Sequence, residues 1–440
     1  MKLIETLKNI WKIEDLRKRL ITTFLFVLVY RFGCHVVLPG ISPSDLEAMR
    51  SFTSNSGLMQ LLDMFAGGAF SQASIFALGI MPYITASIVI QLLGMVLPSF
   101  QKMQREGESG RMKLNQYTRY LTVLILLVQA PAYLVNLQYQ VNAAGGHASI
   151  GWPMMIFLSI VLTAGAMFIM WLGEKITDKG IGNGISIIIL VGIIARFPSA
   201  IVQEFTSRLN TAQGGLVMFL VEIIVLFAVT AGAVMLTRGT RKVPVQYAKR
   251  IVGNKQYGGA RQYIPLKVNA ANVMPIIFAQ ALMFIPITLA GFGSNQQSWL
   301  YRTFGDMDGF WYNVVYFIMI VAFTYFYTAI TVRPTQMAEE MKKNSGFIPG
   351  IKPGKKTAEY IDSIMSRITL PGSIFLGIVA ILPAFARYFG VNREFAQFFG
   401  GTSLLIIVGV VLDTLQQIET HLMMHHYDGL MKSGKIKGRQ

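Results

Sequence analysis

Four clusters of residues in this chain are of the types that do chemistry. Gly429 to Gly434 followed by Lys435 has the outline of a phosphate-binding loop, but Ile436 stands where a Ser or Thr must hold magnesium, and no strand leads into the segment. Glu419, His421, His425 and His426 include two histidines on one helical face, a spacing open to zinc and common for interfacial histidines without a metal. Gly180, Gly182 and Gly184 around Asn183 imitate a nucleotide loop, yet they join two apolar runs; a flexible hinge with Asn183 capping the next helix is the better reading. Glu222 is the main carboxylate within an apolar run, and Asp413 lies near the end of another. An ion-coupled carrier needs such groups opposed by others near mid-membrane, and no opposing base is evident. The expectation is therefore a chain with no catalytic residue, no resident metal, no cofactor and no energy source of its own, so that any transport would be driven by a partner or by the substrate's synthesis.

The elements around these clusters are membrane-spanning. Of 440 residues, 53% are hydrophobic and only 14% charged, against about 25% charged in soluble domains. A mean hydropathy of +0.49 excludes disorder. Apolar runs long enough for ~30 Å of hydrocarbon lie near residues 20–38, 74–97, 118–138, 153–172, 184–205, 215–236, 272–291, 311–332, 370–388 and 396–417. An outer-membrane barrel would alternate over segments of ~10 residues, so these runs read as ten transmembrane helices of an all-α polytopic protein. Ten crossings put both termini on one side, and 32 of the 39 Lys and Arg residues then fall on that side. Such an asymmetry makes it cytoplasmic. The N-terminus is interrupted by Glu5, Glu14 and Asp15 and lacks a signal-peptide cleavage site, so it is expected to be retained. Cys34 is the one cysteine, which permits no internal disulfide.

Five crossings per half is an odd number, so if the halves 1–205 and 206–440 are repeats they are inverted. Connections at about 237–271 and 334–369 exceed ordinary loop lengths and are the first places to look for a partner. Over the first of them, Arg241, Lys249, Arg250 and Lys255 are interleaved with Tyr247, Tyr257 and Tyr263, which suits RNA phosphate, an acidic protein surface or anionic lipid. Residues 57–72, GLMQLLDMFAGGAFSQ, are too short to span and are broken by Asp63, Gly67 and Gly68. They read as a short helix that re-enters the fold from the outer side or lies on the outer surface. Pro82 in the next run removes an N–H and can bend it.

SQASIFALGIMPYITASIVIQLL from Ser71, EGESGR from Glu106, GEKITDKGIGNGIS from Gly173, VPVQYAKR from Val243, PLKVN from Pro265, FIPGIKPGKKTAEYID from Phe347 and FGGTSLLI from Phe399 follow in the order and spacing of one family. Over essentially its whole length the chain resembles the bacterial members of the SecY/Sec61-alpha family. The resemblance implies a protein-conducting channel subunit of the bacterial plasma membrane, with two inverted five-helix halves around a central pore. It makes 57–72 a re-entrant plug helix containing Asp63, Phe65, Gly67 and Gly68, and makes the second and seventh spans a lateral gate where Gln91 and Asn269 can meet. It also implies a pore ring of Ile80, Ile84, Ile189, Ile277 and Ile406. Such an aliphatic constriction dewets when idle and offers a passing polypeptide few strong contacts.

By the same resemblance, Arg241, Lys249, Arg250, Lys255, Lys352 and Lys355 belong to loops that dock ribosomes and the SecA motor ATPase. Lys352 stands where relatives commonly have arginine, which keeps the charge but loses the planar fork. The other partners implied are SecE- and SecG-type small membrane subunits, SecDF, YidC, nascent polypeptides and membrane lipid. The competing reading, an ion-coupled secondary transporter with inverted repeats, is disfavoured by the shortage of intramembrane charge.

Overall fold

A computed structural model of the chain describes residues 11, 13–42, 63–143, 151–210, 215–247, 250–252, 255–257, 261–271, 273–280, 282–283 and 309–432. It divides into two compact units, Met1–Ile201 with Val410–Gln440, and Val202–Gly409.

The first unit contains α1 (Glu14–Gly33), α2 (Met81–Val96), α3 (Pro98–Arg105), α4 (Glu108–Ala143), α5 (Trp152–Lys179) and most of α6 (Gly184–Asn210). Along α5, Leu158, Leu162, Ala166, Ile169, Gly173 and Ile176 are buried at intervals of three and four residues, one stripe of a helix. In lipid such a stripe gains little from leaving its surroundings, so close packing has to hold it. Gly165 shows how: a Cβ there would lie 2.2 Å from the Ile75 carbonyl oxygen, so only glycine lets that backbone approach. Pro82 sits in the first turn of α2, where its missing N–H costs nothing. It therefore starts a helix instead of bending one.

The second unit holds the end of α6, α7 (Gly215–Arg238), a helical stretch over 274–280, α8 (Phe310–Thr331), α9 (Pro334–Lys343), α10 (Lys355–Tyr388), α11 (Arg393–Ala396) and the start of α12 (Gly401–Lys432). The connection after α7 has structure of its own. Strands β1 (Thr240–Tyr247) and β4 (Arg261–Lys267) pair antiparallel from Thr240 against Lys267 to Gln246 against Arg261. β5 (Gly346–Phe347) adds to the other edge of β1, and β2 (Arg250–Val252) with β3 (Lys255–Tyr257) forms a separate hairpin between β1 and β4 in sequence. Val243, Val245 and Leu266 turn inward against Met341 of α9, Ile348, and Ile361 and Met365 of α10, giving this sheet a core.

Seven described helices are long and apolar enough to cross a membrane, and an eighth crossing is added if α2 and α3, bent by 103°, count together. The seven cover the expected runs from 118–138 through 215–236 and from 311–332 through 396–417. α1 covers residues 20–33 of the run at 20–38 but begins EDLRKR, and most of the run at 272–291 beyond 280 lies outside the described residues. α7 leaves Val217, Phe227 and Met235 more than 70% exposed. A face of that kind calls for hydrocarbon, not water.

Candidate functional site

In the first unit, residues 63–80 cannot form regular helix, because Gly67, Gly68, Ala73 and Gly79 all have positive φ, from 43° to 88°. Helix is confined to 63–65, turns follow to residue 80, and one isolated bridge ties Val37 to Ser74. Irregular backbone at membrane depth needs outside partners for its carbonyls. Here neighbouring helices supply them. The Tyr30 hydroxyl of α1 donates to the Ala66 carbonyl at 3.3 Å, and Arg31 Nη1 donates to the Gly67 carbonyl at 2.7 Å. From α4, the Tyr133 hydroxyl donates to the Phe70 carbonyl at 3.0 Å. From α6, Arg196 forms an ion pair with Asp63, whose Oδ1 accepts the Ser71 N–H at 2.7 Å. Asp63 and Phe65 are both buried. A Cβ on Gly67 would come within 3.0 Å of the Gly192 Cα, so this position needs glycine for its neighbour as well as for its φ. Asp63, expected as a helix breaker, is the buried anchor of the segment; residues 57–62 lie outside the described residues.

Of the five isoleucines expected in a ring, Ile80 and Ile189 are buried in the first unit and Ile84 is half-buried. Ile80 and Ile84 follow one another by a helical turn, with the Ile84 N–H bonded to the Ile80 carbonyl at 3.1 Å, so they share a face. In the second unit, Ile277 is half-buried in the 274–280 stretch and Ile406 is buried in α12. Gln91 on α2 donates to Ser87 Oγ at 3.3 Å. Asn269, in the turn after β4, is buried, and its Oδ1 has no hydrogen-bond partner among the described residues.

The cations expected to dock partners all belong to the second unit. Arg241 is exposed on β1, opposite Leu266. Arg250 begins β2 and Lys255 begins β3, while Lys249 lies outside the described residues. Lys352 and Lys355 are exposed at a turn made by Gly350 (φ 83°) and Gly354 (φ 99°). The buried Thr357 hydroxyl donates to the Lys352 carbonyl at 3.0 Å and fixes that turn to α10.

Two expectations change. The glycine turn before α6 is stitched down: the Ile181 N–H bonds Thr23 Oγ1 at 3.1 Å, the Gly182 N–H bonds Gln417 Oε1 at 2.9 Å, and Arg19 donates to the Gly180 carbonyl at 3.4 Å. Asn183 does cap α6, its Oδ1 accepting the Ile185 N–H at 3.1 Å. Glu222, for which no opposing base was evident, has one: Arg208 Nη2 reaches Glu222 Oε1 at 2.5 Å, and Arg208 Nε reaches Glu204 Oε1 at 2.9 Å. The missing signal was helix length, because α6 continues to Asn210, beyond the apolar run that ends near 205. Among the described residues no three His, Cys, Asp or Glu side chains converge as metal ligands would; the side chains of His425 and His426 are not among them.

The SecY family model matches residues 74–415. A relative from Streptomyces galbus, "Protein translocase subunit SecY", is 43% identical over 435 residues, which cover 96% of this chain and 98% of its own. The chain belongs to the SecY family. Among solved structures, the one described as "The plug domain of the SecY protein stablizes the closed state of the translocation channel and maintains a membrane seal" is 19% identical, with a TM-score of 0.63 over 92% of each chain. "Sec61 in the Canine ribosome-channel complex from the endoplasmic reticulum" is also 19% identical, with a TM-score of 0.57 over 92% of each chain. At that identity the two structures establish the fold, which is that of SecY and Sec61 channels. With its apolar helices, this SecY-family chain is a multi-pass membrane protein. The proteins compared are translocase and channel subunits, and they give the transporter reading no support.

Proposed function

We propose that this SecY-family chain is the protein-conducting channel of a bacterial plasma-membrane translocase, passing unfolded polypeptides across the bilayer and releasing apolar helices sideways into lipid. The observation that carries the proposal is a likeness of 43% to a protein translocase subunit over 96% of the chain. In finer detail, we assign ten crossings in two inverted five-helix halves, 1–205 and 206–440, with both termini cytoplasmic. The charge asymmetry of 32 in 39 supports that orientation. The ring of Ile80, Ile84, Ile189, Ile277 and Ile406 is the hydrophobic seal; the stacking of Ile80 on Ile84 and the burial of Ile80, Ile189 and Ile406 support it. Gln91 and Asn269 mark the lateral gate, and the unpartnered Asn269 Oδ1 supports a polar contact there. The 57–72 segment is the plug, its described part being too irregular and too buried to be a span.

Docking of a ribosome or the SecA motor falls to Arg241, Lys249, Arg250, Lys255, Lys352 and Lys355, of which Arg241, Lys352 and Lys355 are exposed. A ribosome-bound channel among the similar structures supports this. SecE- and SecG-type subunits complete the complex, and SecDF and YidC act with it. The chain performs no catalysis of its own, because the motor or the ribosome supplies the work.

Reconstitution into vesicles with SecE-type subunits, SecA, ATP and an unfolded secretory polypeptide tests the proposal. The expected result is polypeptide protected from added protease. Coupled flux of ions and a small solute, with no protected polypeptide, would overturn it in favour of a transporter.

A further inference from the structure

We propose that Arg196 and Arg31 are positioning residues that latch residues 63–71 in their seat, and that the Asp63–Arg196 pair must break before this segment can leave it. The inference rests on reading 57–72 as the plug. Arg196 holds both ends of the turn, since it pairs with Asp63 and its Nη2 also donates to Ser71 Oγ at 3.2 Å. Ser71 Oγ in turn donates to the Gly68 carbonyl at 3.2 Å, and the Gly68 N–H returns to the Asp63 carbonyl at 2.8 Å. Arg31 grips the middle through the Gly67 carbonyl at 2.7 Å.

Asp63 is fully buried, whereas the Arg196 side chain keeps 23% of its surface. A buried carboxylate is tolerable only beside its cation, so the pair makes one seat specific. The same attraction weakens many-fold once water enters, because it scales inversely with the local dielectric. An apolar contact of equal size would lose only the share of its area that water reaches. The pair therefore behaves as a latch: firm while dry and released by water at its exposed end.

The chain supplies its own reporter. Cys34, the one cysteine, is buried with its Sγ 3.9 Å from the Ala66 carbonyl oxygen, directly against the latched turn. In the reconstituted complex with its small subunits, a membrane-impermeant maleimide added from the outer side should modify Cys34 slowly. Arg196→Gln strands the Asp63 charge and should speed the reaction at least about tenfold. Arg31→Gln removes one bond to a carbonyl and should speed it about threefold. Asp63→Asn with Arg196→Gln removes both charges and should return the rate to within about threefold of the parent.

A rate in Arg196→Gln equal to the parent's would overturn the latch. Failure of both Arg196→Gln and the double variant to assemble would also overturn it, since Arg196 would then be scaffold. Trapping a polypeptide in the parent channel separates this inference from the plug reading. Faster labelling with the trapped chain but not in Arg196→Gln keeps the plug and removes the latch. Faster labelling in Arg196→Gln alone keeps the latch and removes the plug.

Discussion

Residues 63–80 of the first unit and the platform of β1, β4, α9 and α10 in the second both place basic side chains beside turning backbone, and the charges do opposite work. Around 63–80, Arg31 and Arg196 point inward and hold carbonyls and a buried carboxylate. On the platform, Arg241, Lys352 and Lys355 point outward, while an apolar core of Val243, Val245, Leu266 and their partners holds the turns. The lesson is a division of cost. Inward charges are part of the fold, so altering one strands another; outward charges can change with little effect on folding and with full effect on what binds.

The Arg208 cluster of the second unit gives the largest expected effect, because it is inward charge between regular helices. Arg208, Glu204 and Glu222 are each at least 93% buried. The Gly390 carbonyl accepts from Arg208 at 3.0 Å, and the Asn392 N–H donates to Glu204 at 2.9 Å. Arg208→Ala leaves two carboxylates facing each other and should cost about 3–5 kcal/mol in denaturant unfolding of the purified protein in micelles. Replacing all three residues with leucine should recover most of that. A loss below about 1 kcal/mol for Arg208→Ala would mean that water already screens the cluster, and the contrast with the platform would fail.

Next in size is the ring. In the constriction proposed for the five isoleucines, an ion must shed favourable hydration to enter, and amide groups would let water form a column. Ile84→Asn with Ile406→Asn should raise the resting ion conductance of reconstituted vesicles at least about tenfold, since restored hydration of even ~1.4 kcal/mol is one power of ten. Asp63→Ala alone should not wet the ring. A folded double variant as ion-tight as its parent would move the seal to the 63–80 segment.

The platform should respond more mildly. Arg250→Glu with Lys352→Glu reverses two charges of the proposed docking set and should weaken ribosome or motor binding by about tenfold at low salt, with the difference shrinking as salt rises. Unfolding stability should stay within about 0.5 kcal/mol of the parent. Unchanged binding together with a leaking membrane would reverse the assignment of the two regions.

These regions were unequally legible in the sequence. Long apolar runs report crossings directly, so α4 to α8, α10 and α12 lie where hydropathy puts them. Exposed cations in long connections were equally readable, since nothing but solvent or a partner competes for them. The β1–β4 sheet was not read, because its core borrows Met341, Ile348, Ile361 and Met365 from about a hundred residues further along. Asp63 and Arg208 were hidden for a related reason. A charged residue in a helix-breaking segment or just past an apolar run looks solvated until its partner, Arg196 or Glu222, is brought to it by the fold. Pro82 carried an ambiguity of another kind, since a proline reads alike as a kink or as a first turn until the preceding backbone is known.

The smallest expected effect isolates burial from geometry. Arg119 of α4 meets Glu174 of α5 through two bonds, Nε to Oε1 at 3.1 Å and Nη2 to Oε2 at 2.7 Å, a bidentate fit that Arg208 does not make with either of its carboxylates. If geometry set the worth of a charge pair, Arg119→Gln would rank with Arg208→Ala. The side chains, however, are 47% and 24% exposed, so water can replace whatever either partner loses. Arg119→Gln should therefore lower unfolding stability by no more than about 1 kcal/mol, and the difference from the parent should fall further at about 1 M salt, where screening acts within ~3 Å. A salt-insensitive loss as large as that of Arg208→Ala would show that this end of α4 and α5 is covered, by lipid headgroups or a partner subunit, and would place Arg119 with the inward charges.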